Sequence, residues 1–210
     1  MTGQEITIDL TGASLQGTLT VPAPAKGLVL FCHGSGSSRH SPRNRLVAAA
    51  LQREGFATFL FDLLMPEEDE DPEARFDIPL LTQRLIAVVR WTTEQAALAS
   101  LPLGLFGAST GAASALGAAA ALPGVVKAVV SRGGRPDMAE AVLPMVEAPT
   151  LLVVGGWDEP VIGLNRFAFD RLQGVKELVI VPEATHLFEE PGKLDEVARL
   201  AAAWFARYLR

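Results

Sequence analysis

One cysteine, Cys32, is all that 210 residues offer to thiol chemistry, and the histidines number three. A lone cysteine closes no internal disulfide, so a reducing compartment is expected, with the cytosol as the default. His33, His40 and His186 show no ligand spacing and no cysteine pair accompanies them, so neither a metal nor another cofactor is expected. No Gly-x-Gly-x-x-Gly fingerprint opens a strand–helix unit, and Gly34-Ser35-Gly36 is too short a match to argue for a dinucleotide. No apolar run reaches membrane-spanning length, and Met1-Thr2-Gly3-Gln4-Glu5 lacks the basic and apolar regions of a signal peptide. The net charge of −6 disfavours nucleic acid and anionic membrane as partners. Tyrosine is single and tryptophan few, while 49% of the residues are hydrophobic. The core is therefore expected to be aliphatic, rich in Leu, Val and Ala.

What is present alternates. Ile6–Leu10 and Leu15–Val21 switch between apolar and polar residues around Thr11-Gly12-Ala13-Ser14, which predicts an N-terminal antiparallel hairpin with one wet face. Continuous apolar runs come next, at Leu28–Cys32, Phe56–Phe61, Leu103–Phe106, Val125–Val130, Leu151–Val154 and Leu178–Val181. Such runs predict strands buried on both faces, as in a parallel sheet. Helical patterns separate them: one from the cap Ser41-Pro42 to Arg53, one over roughly Pro79–Ala99, and one over Thr110–Leu122. Two more are marked by Leu164, Ala168 and Leu172, and by Val197, Leu200, Ala201, Trp204 and Phe205. The acidic run Glu67–Asp71 is expected to be a solvated loop. Strands alternating with helices predict a doubly wound, mostly parallel α/β sheet with right-handed crossovers. With no repeat and no linker, residues 1–210 are expected to form one domain.

Chemistry concentrates at Gly107-Ala108-Ser109-Thr110-Gly111. A Gly-x-Ser-x-Gly between a buried strand and a small-residue helix is the pattern of a nucleophile elbow, in which the serine sits strained on a tight turn. Side chains at the flanking positions would collide with the neighbouring strand and helix, hence glycine at both. Serine is a poor nucleophile until a base removes its proton, and catalytic groups of a parallel sheet gather beyond the carboxyl ends of the strands. His186 comes after the last apolar run and is the expected base. Asp158 comes after the Leu151–Val154 run and is the expected acid, with Glu159 and Glu183 as rivals. The backbone N–H groups of Thr110 and Ser35 are expected to form the oxyanion hole. His33 is expected to shape its loop, and Cys32 to be a core residue.

The chain order Ser109, Asp158, His186 and the full run of elements resemble an α/β-hydrolase, specifically the dienelactone hydrolase-like group. His33–Asn44, Ser131–Asp137 and Ala184–Pro191 resemble one branch of that group, whose members also occur joined to a phosphoribosyltransferase-like domain. The resemblance implies an α/β-hydrolase fold and a serine hydrolase of small-molecule carboxylic esters or lactones, working without cofactor through an acyl-enzyme. It also places the acid in the Asp158 loop. Dienelactone hydrolases proper use a cysteine nucleophile, and Ser109 departs from that pattern, which puts dienelactone in doubt as a substrate. Only Arg132 to Pro149 separates the sixth strand from the acid loop, so no large cap domain is expected. Arg39, His40, Arg132, Arg135 and Trp157 are candidate substrate-binding residues, the arginines for a carboxylate or phosphate, with a salt bridge to the acidic run Glu67–Asp71 or plain solvent exposure as the alternative. The alternative function is a non-catalytic binding or regulatory module beside a phosphoribosyltransferase-like protein.

Overall fold

The computed structural model describes residues 3–210. The hairpin β1 (Gln4–Leu10) and β2 (Ala13–Thr20) pairs in antiparallel register, Ile8 against Leu15. It leads into β3 (Leu28–Cys32), α1 (Pro42–Arg53), β4 (Ala57–Phe61), α2 (Pro66–Asp69) and α3 (Ile78–Glu94). The second half runs β5 (Leu103–Ala108), α4 (Thr110–Ala121), β6 (Val126–Arg132), a 3₁₀ segment Pro136–Met145, β7 (Thr150–Gly155), α5 (Glu159–Arg171), β8 (Lys176–Val181) and α6 (Lys193–Tyr208). One eight-stranded sheet results, in the order β1-β2-β4-β3-β5-β6-β7-β8. Every pairing from β4 to β8 is parallel, and β2 joins β4 antiparallel.

Each face of the sheet buries its own cluster. Leu30, Cys32, Leu105 and Val129 pack under α3 and α4, while Val29, Phe31, Phe106 and Val130 pack under α1 and α6. The small residues of α4 explain its place. Gly111–Ala115 are all buried, and only side chains of this size let a helix lie against the strand ends on one side and α3 on the other. No cap interrupts the fold: the Pro136–Met145 segment packs against α4 and α5 rather than over the strand ends. Among the described residues, no helix is long and apolar enough to cross a membrane.

Four expectations need correction. The core is rich in Leu, Val and Ala as expected, but not aliphatic alone: Phe31, Phe59, Phe61, Phe106 and Phe205 are also fully buried. The acidic run is partly structured. Glu68 accepts the Met65 N–H at the start of α2 and pairs with Arg84 at 2.6 Å, while Asp69 pairs with Arg75 at 3.1 Å. The helix α3 stops at Glu94, several residues before Ala99, because Gln95 turns to extended backbone. Finally, β8 is only partly buried, since it lies at the sheet edge.

Candidate active site

Ser109 lies between the central strand β5 and α4 with φ 51° and ψ −124°. A non-glycine residue there carries about 1–3 kcal/mol of backbone strain, which the surroundings must hold in place. Three backbone hydrogen bonds do so. The Ser109 N–H donates to Arg132 O at 3.2 Å, and Ser109 O accepts from Ala112 N at 3.1 Å and Arg135 N at 3.0 Å. The glycines are required by space. A Cβ on Gly107 would stand 2.5 Å from Ala112 Cα, and one on Gly111 would stand 2.2 Å from Cys32 O. A third close approach, at Gly34, would put a Cβ 2.9 Å from Ser109 Cβ. The loop after β3 thus passes directly against the serine.

On the other side, Asp158 stands at the start of α5, but its side chain caps nothing there. It reaches His186 instead, with Asp158 Oδ2 2.7 Å from His186 Nδ1. An ionised Asp158 accepts the Nδ1 proton and leaves Nε2 as the free base position. The ring lies against the end of β6: a Cβ on Gly133 would be 3.4 Å from His186 Cε1. The loop bearing the histidine is braced by Glu190, which accepts from Thr185 N at 3.1 Å and from Thr185 Oγ1 at 2.7 Å. Neither rival acid touches the ring; Glu183 is exposed and pairs with Lys193, and Glu159 begins the exposed face of α5. Ser109 Oγ and His186 Nε2 are not hydrogen-bonded in this structure, a contact that commonly tightens only around substrate.

The loop after β3 is wired tightly. His33 is buried, and its Nε2 accepts the Leu63 N–H at 3.1 Å, so the ring proton is on Nδ1, which donates to Gly34 O at 3.0 Å. Burial holds the His33 pKa below its ordinary value, which keeps this neutral tautomer. The Ser35 N–H, expected as an oxyanion donor, is directed onto Thr110 Oγ1 at 2.9 Å. Cys32 is fully buried, and burial pushes its thiol pKa up, so it is a core residue and not a second nucleophile.

The candidate substrate residues separate. Arg39 is tied to Asp62 through both its backbone N–H and its guanidinium, with Glu5 at 3.6 Å. Arg135 pairs with Asp137 at 2.8 Å, and exposed His40 meets Arg45 at 2.6 Å. Trp157 is 61% exposed beside the acid loop. Among the described residues, Arg132 alone of the arginines in question has no carboxylate partner: it is 4% exposed, bonds Asn44 Oδ1 at 3.3 Å, and leaves its buried Nε without an acceptor. Burial, and then the nearby Arg43, push its pKa down to about 10. Arg43 in turn pairs with Glu189 of the histidine loop at 3.0 Å. The sequence reading missed Arg43, Asn44 and Glu189; all three lie in the stretches that carry the resemblance, but their contacts span 88 and 146 residues.

Comparison with known proteins assigns the fold and the family. A family model of the alpha/beta hydrolase fold matches residues 27–174. A dienelactone hydrolase from Anabaena variabilis, solved as a crystal structure, is 53% identical, covers 100% of both chains and superposes with a TM-score of 0.97. The esterase domain of a Rhodothermus marinus protein is 20% identical over 99% of both chains, with a TM-score of 0.78, a likeness of fold alone. A Mycobacterium tuberculosis protein, named provisionally as a phosphoribosyl transferase, is 54% identical over 98% of this chain but only 46% of its own length. The chain thus spans about half of that curated relative. It belongs to the α/β-hydrolase fold family and, within it, to the dienelactone hydrolase-like group.

Proposed function

We propose that this hydrolase cleaves carboxylic esters or lactones through an acyl-enzyme on Ser109. The observation that carries the reading is the 2.7 Å contact between Asp158 and His186 beside a strained serine at the head of α4. In the proposed cycle Ser109 Oγ attacks the carbonyl carbon while His186 Nε2 takes its proton. The same proton passes to the leaving alkoxide oxygen as the C–O bond breaks. Water then attacks the acyl-enzyme, losing a proton to His186, and the acid departs as Ser109 recovers its own. Asp158 holds the ring and stabilises the imidazolium, and the Thr110 backbone N–H donates to the oxyanion. The test is labelling with a fluorophosphonate probe and peptide mapping. Modification at Ser109, with turnover of a short-to-long acyl ester panel, is the expected result. A folded chain that neither labels nor turns over would give the lead to a non-catalytic module, a reading favoured by the further half that the Mycobacterium tuberculosis relative carries.

Small acidic substrates are the proposed class, and Arg132 supports it. Holding an ionised side chain out of water costs several kcal/mol unless an opposite charge accompanies it, and among the described residues Arg132 has none. A substrate carboxylate would supply it. A charge-assisted hydrogen bond contributes about 1.5–3 kcal/mol, a preference of roughly tenfold to a hundredfold in kcat/KM. The native chain is expected to prefer a half-ester with a free carboxylate over a size-matched neutral ester, and Arg132→Met to erase that preference. Equal rates on both substrates in the native chain would remove Arg132 from substrate recognition and leave the ester chemistry standing.

A further inference from the structure

Thr110 comes directly after the nucleophile and is buried, 2% exposed, at the first position of α4. Threonines inside a helix commonly send their hydroxyl proton back to a carbonyl one turn earlier. Thr92 and Thr93 do so here, donating to Val89 O and Arg90 O at 2.7 Å. Thr110 cannot, because the elbow precedes it and no helical carbonyl stands one turn back. Its oxygen instead accepts the Ser35 N–H at 2.9 Å, from a residue 75 positions away. A hydroxyl has two lone pairs and one proton, and among the described residues the Thr110 proton has no acceptor.

The Ser35 N–H is not available to a substrate in its own right. It shares a peptide plane with Gly34 O, and that plane is gripped at both ends. His33 Nδ1 donates to the carbonyl at 3.0 Å, His33 Nε2 is itself held by the Leu63 N–H at 3.1 Å, and Thr110 takes the amide. Swinging the amide toward a bound carbonyl would break the Thr110 contact and strain the His33 contact together. The junction lies at the serine, since the space for a Cβ on Gly34 is 3.6 Å from Ser109 Oγ.

Granting Ser109 as the nucleophile, the geometry points to the Thr110 side-chain hydroxyl as an oxyanion donor. It takes the Ser35 N–H on its oxygen and gives its own proton to the substrate oxyanion, beside the Thr110 backbone N–H. Accepting one hydrogen bond strengthens a hydroxyl as the donor of the next, so the Ser35 amide acts through Thr110. Thr110 is then a catalytic residue through its side chain as well as its backbone. The opposite role, a plug that occupies the donor until substrate displaces it, predicts the opposite sign on removal.

Thr110→Val keeps the shape and deletes the hydroxyl; Thr110→Ser keeps the hydroxyl. Each would be compared with the native chain in turnover of a short-chain p-nitrophenyl ester, inhibition by an alkyl boronic acid that adds to the serine as a tetrahedral adduct, and melting temperature. Loss of one oxyanion donor typically lowers kcat by about 10²–10³-fold. That loss is expected for Thr110→Val, with KM near native, boronic acid affinity falling in parallel and the melting temperature held, while Thr110→Ser restores most of the rate. A Thr110→Val rate equal to or above native overturns the inference. So does a loss that Thr110→Ser does not restore, or one that comes with a lowered melting temperature or a raised KM. A native chain that neither labels with the fluorophosphonate nor turns over the ester overturns the hydrolase reading itself, and this inference with it.

Discussion

Ser109→Ala is expected to lower ester turnover by about 10⁴-fold or more and to abolish fluorophosphonate labelling, since no other group in the proposed site can carry the acyl intermediate. Cys32 cannot substitute, because it is fully buried and its thiol is held protonated. Stability separates this role from a packing role. Alanine at φ 51° inherits the strain of the serine, so Ser109→Ala is expected to melt within a few degrees of the native chain. Ser109→Gly relieves the strain and is expected to gain about 1 kcal/mol after the entropic cost of glycine, or ~2–4 °C in melting temperature for a chain of this size. Activity lost and stability gained in one substitution would mark strain held for function. A Ser109→Gly protein that melts lower would mean that the turn is not strained, and residual turnover in Ser109→Ala within tenfold of native would remove the serine from the mechanism.

Asp158→Asn is expected to cost about 10⁴-fold in kcat, comparable to loss of the acid in other serine triads. The reason is the tautomer. The carboxylate accepts the Nδ1 proton of His186 across 2.7 Å, whereas an amide nitrogen in that place would donate to Nδ1 and drive the proton to Nε2, where the base must be empty. KM should change little, because the carboxylate lies behind the ring. His186→Ala should cost as much, and the double variant little more than either alone, since the groups act as a unit. Purified Asp158→Asn within tenfold of native would transfer the orienting role to another group. Glu159, next in the chain, would be the first to test.

The elbow was legible because its requirements are local: two glycines where a Cβ would meet backbone at 2.5 and 2.2 Å, a buried strand before them and a small-residue helix after. The parallel core was legible in its apolar runs, and the candidate acid and base in the loops at the carboxyl ends of two of those runs. Sheet position was not legible. The Leu178–Val181 run reads like the central strands, yet β8 is an edge, because strand order is decided by tertiary pairing. The same limit hid which arginine is free. Arg39 finds its carboxylate 23 residues away in Asp62, and Glu68, which accepts the Met65 N–H at the start of α2, meets Arg84 from α3. A pattern along the chain carries periodicity and turns well, and long-range charge partners poorly. The Ser35–Thr110 bond belongs to the same class: each residue was singled out for its backbone, and only their juxtaposition gives the threonine hydroxyl a task.

The segment between β6 and β7 that packs sideways instead of arching over the strand ends bears on traffic through the site. Among the described residues that segment does not arch over the strand ends, so the proposed mechanism requires no movement of it to admit substrate. A proposed acyl-enzyme on Ser109 is then as open to bulk water as to the next substrate. Partition between competing acceptors follows concentration multiplied by reactivity, and an open site gives water the full advantage of its concentration, which in the proposed cycle favours hydrolysis over transfer of the acyl group to another acceptor.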